Sequence, residues 1–130
     1  MFAISATYMP CDSTKIVLNA ARQIYNSAAR AAQDYVDTNV SGMIRERVCK
    51  QLYLTLLGGC EHVEYFNTID LPMPLPTLRD DYFYVQPSAD ILLTRYWSFG
   101  GYYLRRENSG SVSSVDFHSN EAGVRTTIKF

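Results

Sequence analysis

Cys60, His62 and Glu64 fall at alternate positions, and Asp116 and His118 repeat that spacing later in the chain. On extended strands each set shares one face. If the strands were neighbours, they would present the thiolate, imidazole and carboxylate donors that hold zinc tetrahedrally. No pair of cysteines has the spacing of a metal finger, and neither a metal site nor a cofactor is assigned. Two histidines and three cysteines also permit a Cys–His dyad on paper, yet nothing around Cys11, Cys49 or Cys60 makes a nucleophile setting. Asp80-Asp81 is a paired acid whose side chains point apart on an extended chain. Gly58-Gly59 precedes a strand, the wrong polarity for a phosphate-binding helix N-terminus. These readings weigh against an enzyme, and no catalytic residue is assigned.

The segment RYWSFGGYYLRRE, residues 95–107, offers a different chemistry. With Gly100-Gly101 as a two-residue turn, residues 91–107 predict a hairpin. Its core side would carry Leu93, Trp97, Phe99, Tyr102 and Leu104, and its other side Tyr96, Tyr103 and Arg105. Rings beside a guanidinium are contact surface for a protein partner, or a stacking platform for single-stranded nucleic acid. In the same register Arg95 faces Arg106. Like charges directly opposed call for an anion or a carboxylate between them, which marks Arg95 and Arg106 as an anion or salt-bridge site.

The elements that would position these groups read as α+β. Alternation over FAISATYM predicts an N-terminal strand ended by Pro10. From Lys15 to about Val36, Val17, Ala20, Ala21, Ile24, Ala28, Ala31, Ala32 and Tyr35 follow helical spacing. A second helix is expected from Ser41, with Met43, Ile44, Val48, Leu52 and Leu56 on one face and Gly58-Gly59 as its cap. The short link favours an antiparallel helix pair. Residues 60–80 read as an extended connector with prolines at 72, 74 and 76, which would press Leu71, Met73 and Leu75 against something. Residues 81–130 read as an antiparallel meander packed on the helices, giving one two-layer domain over 1–130 with a strand plus helix pair in 1–59.

Composition narrows the function classes. The net charge of −1 gives no global attraction to nucleic acid or an anionic membrane. No apolar run approaches the roughly 20 residues of a membrane-spanning helix, so no membrane partner is expected. An odd cysteine count without an export signal fits an intracellular, reducing compartment. Ten tyrosines, with arginine outnumbering lysine nine to three, match the composition of protein interfaces. The expectation is a non-enzymatic structural or assembly subunit, a homo-oligomer or part of a larger assembly such as a virus or phage particle. Its contacts would run through Tyr96, Tyr103, Arg105, Leu71, Met73 and Leu75. The alternatives are a small-ligand binder or enzyme, with His62, Glu64, Asp81 and His118 lining a pocket between sheet and helices, and nucleic-acid binding through the 91–107 hairpin.

Overall fold

The computed structural model describes residues 1–26, 33–67, 78–110 and 116–128. Seven strands run in chain order: β1 (Phe2–Cys11), β2 (Thr14–Asn26), β3 (Gln33–Arg47), β4 (Leu52–Asn67), β5 (Arg79–Leu92), β6 (Trp97–Gly110) and β7 (Phe117–Ile128). They form one antiparallel meander in which each strand pairs with its sequence neighbours. The expected α+β architecture is therefore corrected to all-β. The described parts of both expected helices are strands, Ala28, Ala31 and Ala32 falling outside the described residues, and the described residues contain no helical layer.

The reason lies in the periods. Residues four apart share a face on a helix and equally on a strand, so Ile44, Leu52 and Leu56 satisfied both patterns. The deciding feature is the alternation of Val36, Thr38, Val40, Gly42 and Ile44 with Tyr35, Asp37, Asn39, Ser41 and Met43. It continues through Leu52, Leu54 and Leu56 in β4. β-branched and aromatic residues in such alternation favour a pleated, half-buried surface over a helix.

Two further boundaries move. Gly100-Gly101 lies inside β6, where Gly100 pairs with Asp90 and Gly101 with Ala89, so the 91–107 hairpin turns instead at Leu93–Tyr96. Gly58-Gly59 lies inside β4 rather than at a helix end. The supposed connector 60–80 contributes its first part to β4 and its last residues to β5. Leu71, Met73 and Leu75 fall outside the described residues.

Short turns at Asp12-Ser13, residues 48–51 and residues 93–96 gather at one end of the sheet. The longer connections, 27–32, 68–78 and 111–116, join strands at the other. No described hydrophobic residue is buried. The accessible surface is 9245 Å², against about 7,000 Å² for a compact monomer of this size. The excess is what a single uncovered layer produces.

Exposure is nonetheless uneven between the two faces. Along β5, residues 80, 82, 84, 86, 88, 90 and 92 are half-buried, while 79, 81, 83, 87, 89 and 91 are exposed. A flat sheet would expose both alike, so the sheet curls toward the side bearing Tyr82 and Tyr84. Glycines make room on that concave side. A Cβ on Gly59 would meet the ring of its cross-strand partner Tyr84 at 2.9 Å, and one on Gly123 would meet the Tyr102 ring at 2.6 Å. Both rings lie across a bare backbone, a packing that offsets the poor strand propensity of glycine.

Gly59→Val should therefore displace the Tyr84 ring and destabilise the sheet by about 1–3 kcal/mol, the usual range for overpacking. Gly101→Ala, whose nearest outside atom is a carbonyl oxygen 3.7 Å away, should be much milder. Chemical denaturation of both variants checks the difference.

Candidate functional site

The register sorts every strand residue onto one of two faces. The concave face is polar. Ser5, Asn19 and Ser41 form a row across β1–β3, with Ser5 donating to Asn19 at 2.7 Å and Asn19 to Ser41 at 3.4 Å. Across β2–β4 Tyr25 stacks on Tyr35 with ring centroids 5.3 Å apart, and Tyr35 meets Tyr65 at 5.4 Å with the rings tilted by 42°. On β6 and β7 the Glu121 carboxylate accepts from Tyr102 at 2.8 Å and from Arg106 at 2.7 Å. Arg125 clasps Asp90 with both ends of its guanidinium, at 2.9 and 2.5 Å.

The convex face is apolar through its middle. It carries Phe2, Ile4, Ala6 and Tyr8 on β1, then Ile16, Leu18 and Ala20 on β2. Val40, Gly42 and Ile44 follow on β3, and Leu52, Leu54, Leu56, Gly58 and Cys60 on β4. β5 adds Phe83, Val85, Pro87, Ala89 and Ile91, β6 Trp97, Phe99 and Tyr103, and β7 Ala122, Val124 and Ile128. Most of the exposed large hydrophobic residues belong to this set, Val124 at 75% exposure and Leu18 at 58% among them.

On β4 to β7 the band gives way to charged residues toward the longer connections, while Ile24 and Val36 continue it on β2 and β3. Just beyond it, on the same face, lie His62 and Glu64 on β4, Arg79 and Asp81 on β5, Arg105 and Glu107 on β6, and His118 on β7. Aromatic rings mark both borders: Phe2, Phe83 and Tyr103 on that side, and Tyr8 and Trp97 toward the short turns. From β1 to β7 the centre of the band slides by about one residue per strand. With a rise of about 3.3 Å per residue and strands about 4.8 Å apart, that slide corresponds to strands tilted by about 35° to the band.

No family model matches this chain, and no curated relative or solved structure does either. What the surface can do is therefore read from its geometry. Among the described residues no helix is long and apolar enough to cross a membrane. That criterion concerns helices alone, and this molecule is built of strands.

The residues singled out in the sequence scatter over this frame. Tyr103 and Arg105 stand on the convex face; the Tyr103 hydroxyl donates to Asn120 at 2.8 Å, and Arg105 pairs with Glu107. Tyr96 lies apart from them in the 93–96 turn, under the Arg95 guanidinium at 4.5 Å. Arg95 and Arg106 do not oppose one another, since Arg106 sits on the concave face opposite Tyr84 and Ser119. His62, Asp81 and His118 line a cavity of about 380 Å³ open on the convex face. Asp81 is 2.5 Å from His62, Glu64 is 3.4 Å from it and 3.2 Å from Arg79, and His118 is 3.7 Å from Glu107. Cys60 joins the same lining, but among the described residues no group of three His, Cys, Asp or Glu side chains is arranged to hold a metal ion. Cys11, beside the first turn, has its thiol lowered to about 7 by hydrogen bonds from Ser13 and Thr14.

His62, beyond the apolar band, has carboxylates at both ring nitrogens, and the Asp81 hydrogen bond above all raises its pKa over the ordinary histidine value. A group raised by folding stabilises the fold in full below its unfolded pKa of about 6.5, and that contribution is lost as pH rises through the folded value. Asp81→Asn should bring the His62 titration back down toward the ordinary value, measured by NMR of the imidazole protons.

Proposed function

We propose that this chain forms part of the wall of a membrane-spanning β-barrel, with its convex band against lipid and its concave face lining a polar interior. The observation that carries this reading is the inversion of the two faces. In a water-soluble sheet the covered face is apolar and the solvated face polar. Here the sheltered, concave side holds the Tyr25–Tyr35–Tyr65 row, the Arg106–Glu121 and Arg125–Asp90 pairs and the hydrogen-bonded rows, while the side turned outward holds the aliphatic band, with its ion pairs beyond the band's border. Strands of a lipid-embedded barrel alternate in this sense, apolar outward and polar inward.

Dimensions support it. On β5 the band runs from Phe83 to Ile91. That is about 27 Å along the strand and about 22 Å when tilted by about 35°, close to the roughly 25 Å apolar girdle of such barrels. Short turns at one end, longer connections at the other and aromatic borders belong to the same pattern. The pairing also obeys the rule that backbone groups in hydrocarbon need internal partners. β1 and β7 are left as edges and run in the same direction, so an all-antiparallel barrel needs an odd number of strands beyond these seven.

The assembly-subunit reading drawn from composition places a second copy, rather than lipid, on the same band. The two differ in what keeps the protein folded. In lipid vesicles, Val85→Arg on the band should cost about 2–4 kcal/mol, while Gln86→Arg, one residue along and facing inward, should cost much less. Urea unfolding in vesicles and in detergent-free buffer reads both. A folded, monodisperse oligomer in detergent-free buffer that Val85→Arg dissociates and Gln86→Arg does not would replace the lipid reading with self-association.

A further inference from the structure

The charges of the concave face are sorted along its length. Toward the short turns lie Lys15, Arg45, Arg47 and Arg125 against a single acid, Asp90. Toward the longer connections lie Asp37, Glu61 and Asp80, and the Arg106–Glu121 pair sits between the two groups. At the basic end a cavity of about 210 Å³ is lined by Arg45, Arg95, Arg125, Asp90, Ser98 and Thr127, among other residues.

Asp90 is already held by both ends of the Arg125 guanidinium. Arg45 and Arg95 have no carboxylate partner among the described residues. Each lies over a tyrosine ring instead, Arg45 over Tyr53 at 4.6 Å and Arg95 over Tyr96 at 4.5 Å. A guanidinium held by its flat face keeps its N–H edge free, and that edge is the part that matches the paired oxygens of an oxyanion. Ser98 and Thr127 add hydroxyl donors in the same lining.

We propose that this cavity is an oxyanion site for a small phosphorylated solute, held by the Arg45 and Arg95 guanidiniums at the turn end of the concave face. Two unpaired arginines in one cavity repel each other until an anion lies between them, and charge-assisted bonds to phosphate are the strong ones available. The site stands on the face opposite the apolar band, so it holds whether that band meets lipid or a second copy.

The test uses the folded protein, in whichever medium preserves its far-ultraviolet β signature, titrated with inorganic phosphate and with phenyl phosphate by calorimetry. Saturable binding at one site is expected, weakening as salt is raised. Arg45→Gln and Arg95→Gln should each weaken it about tenfold, the scale of one charge-assisted bond. Arg79→Gln, on the convex face at the far end, should leave it unchanged. Asp90→Asn removes the competing carboxylate, frees Arg125 and should tighten binding. Absence of saturable binding to the folded protein, or binding indifferent to both Arg45→Gln and Arg95→Gln, overturns the proposal. A protein that folds without lipid yet binds phosphate in this pattern keeps the site and removes the membrane reading.

Discussion

A β-strand sends successive side chains to opposite faces, and here that period of two has only one layer of protein to work with. β4, β5 and β6 divide their residues between a sheltered, mostly polar side and a more exposed, largely apolar side, and no described element covers the latter. In most domains the largest favourable term is apolar surface removed from water inside the molecule. This sheet has no such interior. Its internal stability comes from continuous ladders of backbone hydrogen bonds and from the side-chain network of the concave face. The apolar term is available only when something apolar meets the outside. Hydrocarbon supplies it directly, and it also makes the backbone ladders obligatory, because an unpaired N–H or C=O has no water to turn to.

The concave side explains a composition that the sequence left open. Tyrosines here serve as inward-facing fillers with a polar tip: Tyr25, Tyr35 and Tyr65 form a track, Tyr84 and Tyr102 lie over glycines, and Tyr102 also feeds the Glu121 carboxylate. Arginine exceeds lysine for a related reason. A guanidinium can lie over a ring, as Arg45 does over Tyr53, or pair with a carboxylate, as Arg106 does with Glu121 and Arg125 with Asp90. The sorting of charge gives the concave face a direction, acidic near the longer connections and basic near the short turns.

Part of this was legible in the residues. The alternating Cys60, His62 and Glu64 do share a strand face, and His62 and Asp81 meet because β4 and β5 are neighbours in register. The all-β fold was not read, because alanine-rich β2 and the four-residue spacing of Ile44, Leu52 and Leu56 fit a helix as well as a strand. Ala20 and Ala21 belong to opposite faces of β2, though both fit one helical stripe. Gly100-Gly101 carries the signature of a turn, and only the neighbouring strand shows it to be mid-strand, close against Asp90. The cavity at the basic end joins Arg45 to Arg95 and Arg125 across several strands. No local pattern brings those three together. The signal that was present is the alternation of Val36, Val40 and Ile44 with Asp37, Asn39 and Ser41, and of Leu52, Leu54 and Leu56 with Tyr53 and Thr55, weaker per segment than the long apolar run that marks a membrane helix.

The single tryptophan gives the most direct measurement, because Trp97 stands on the convex face at the border of the apolar band, its indole N–H donating to Thr126 at 2.6 Å. Its fluorescence is to be recorded in vesicles whose lipids carry bromine at defined depths along the acyl chains, with iodide added to the water. Quenching by the bromines nearest the headgroups, with protection from iodide, is the expected result. Full access to iodide with no response to bromine at any depth would show that lipid does not lie against this face.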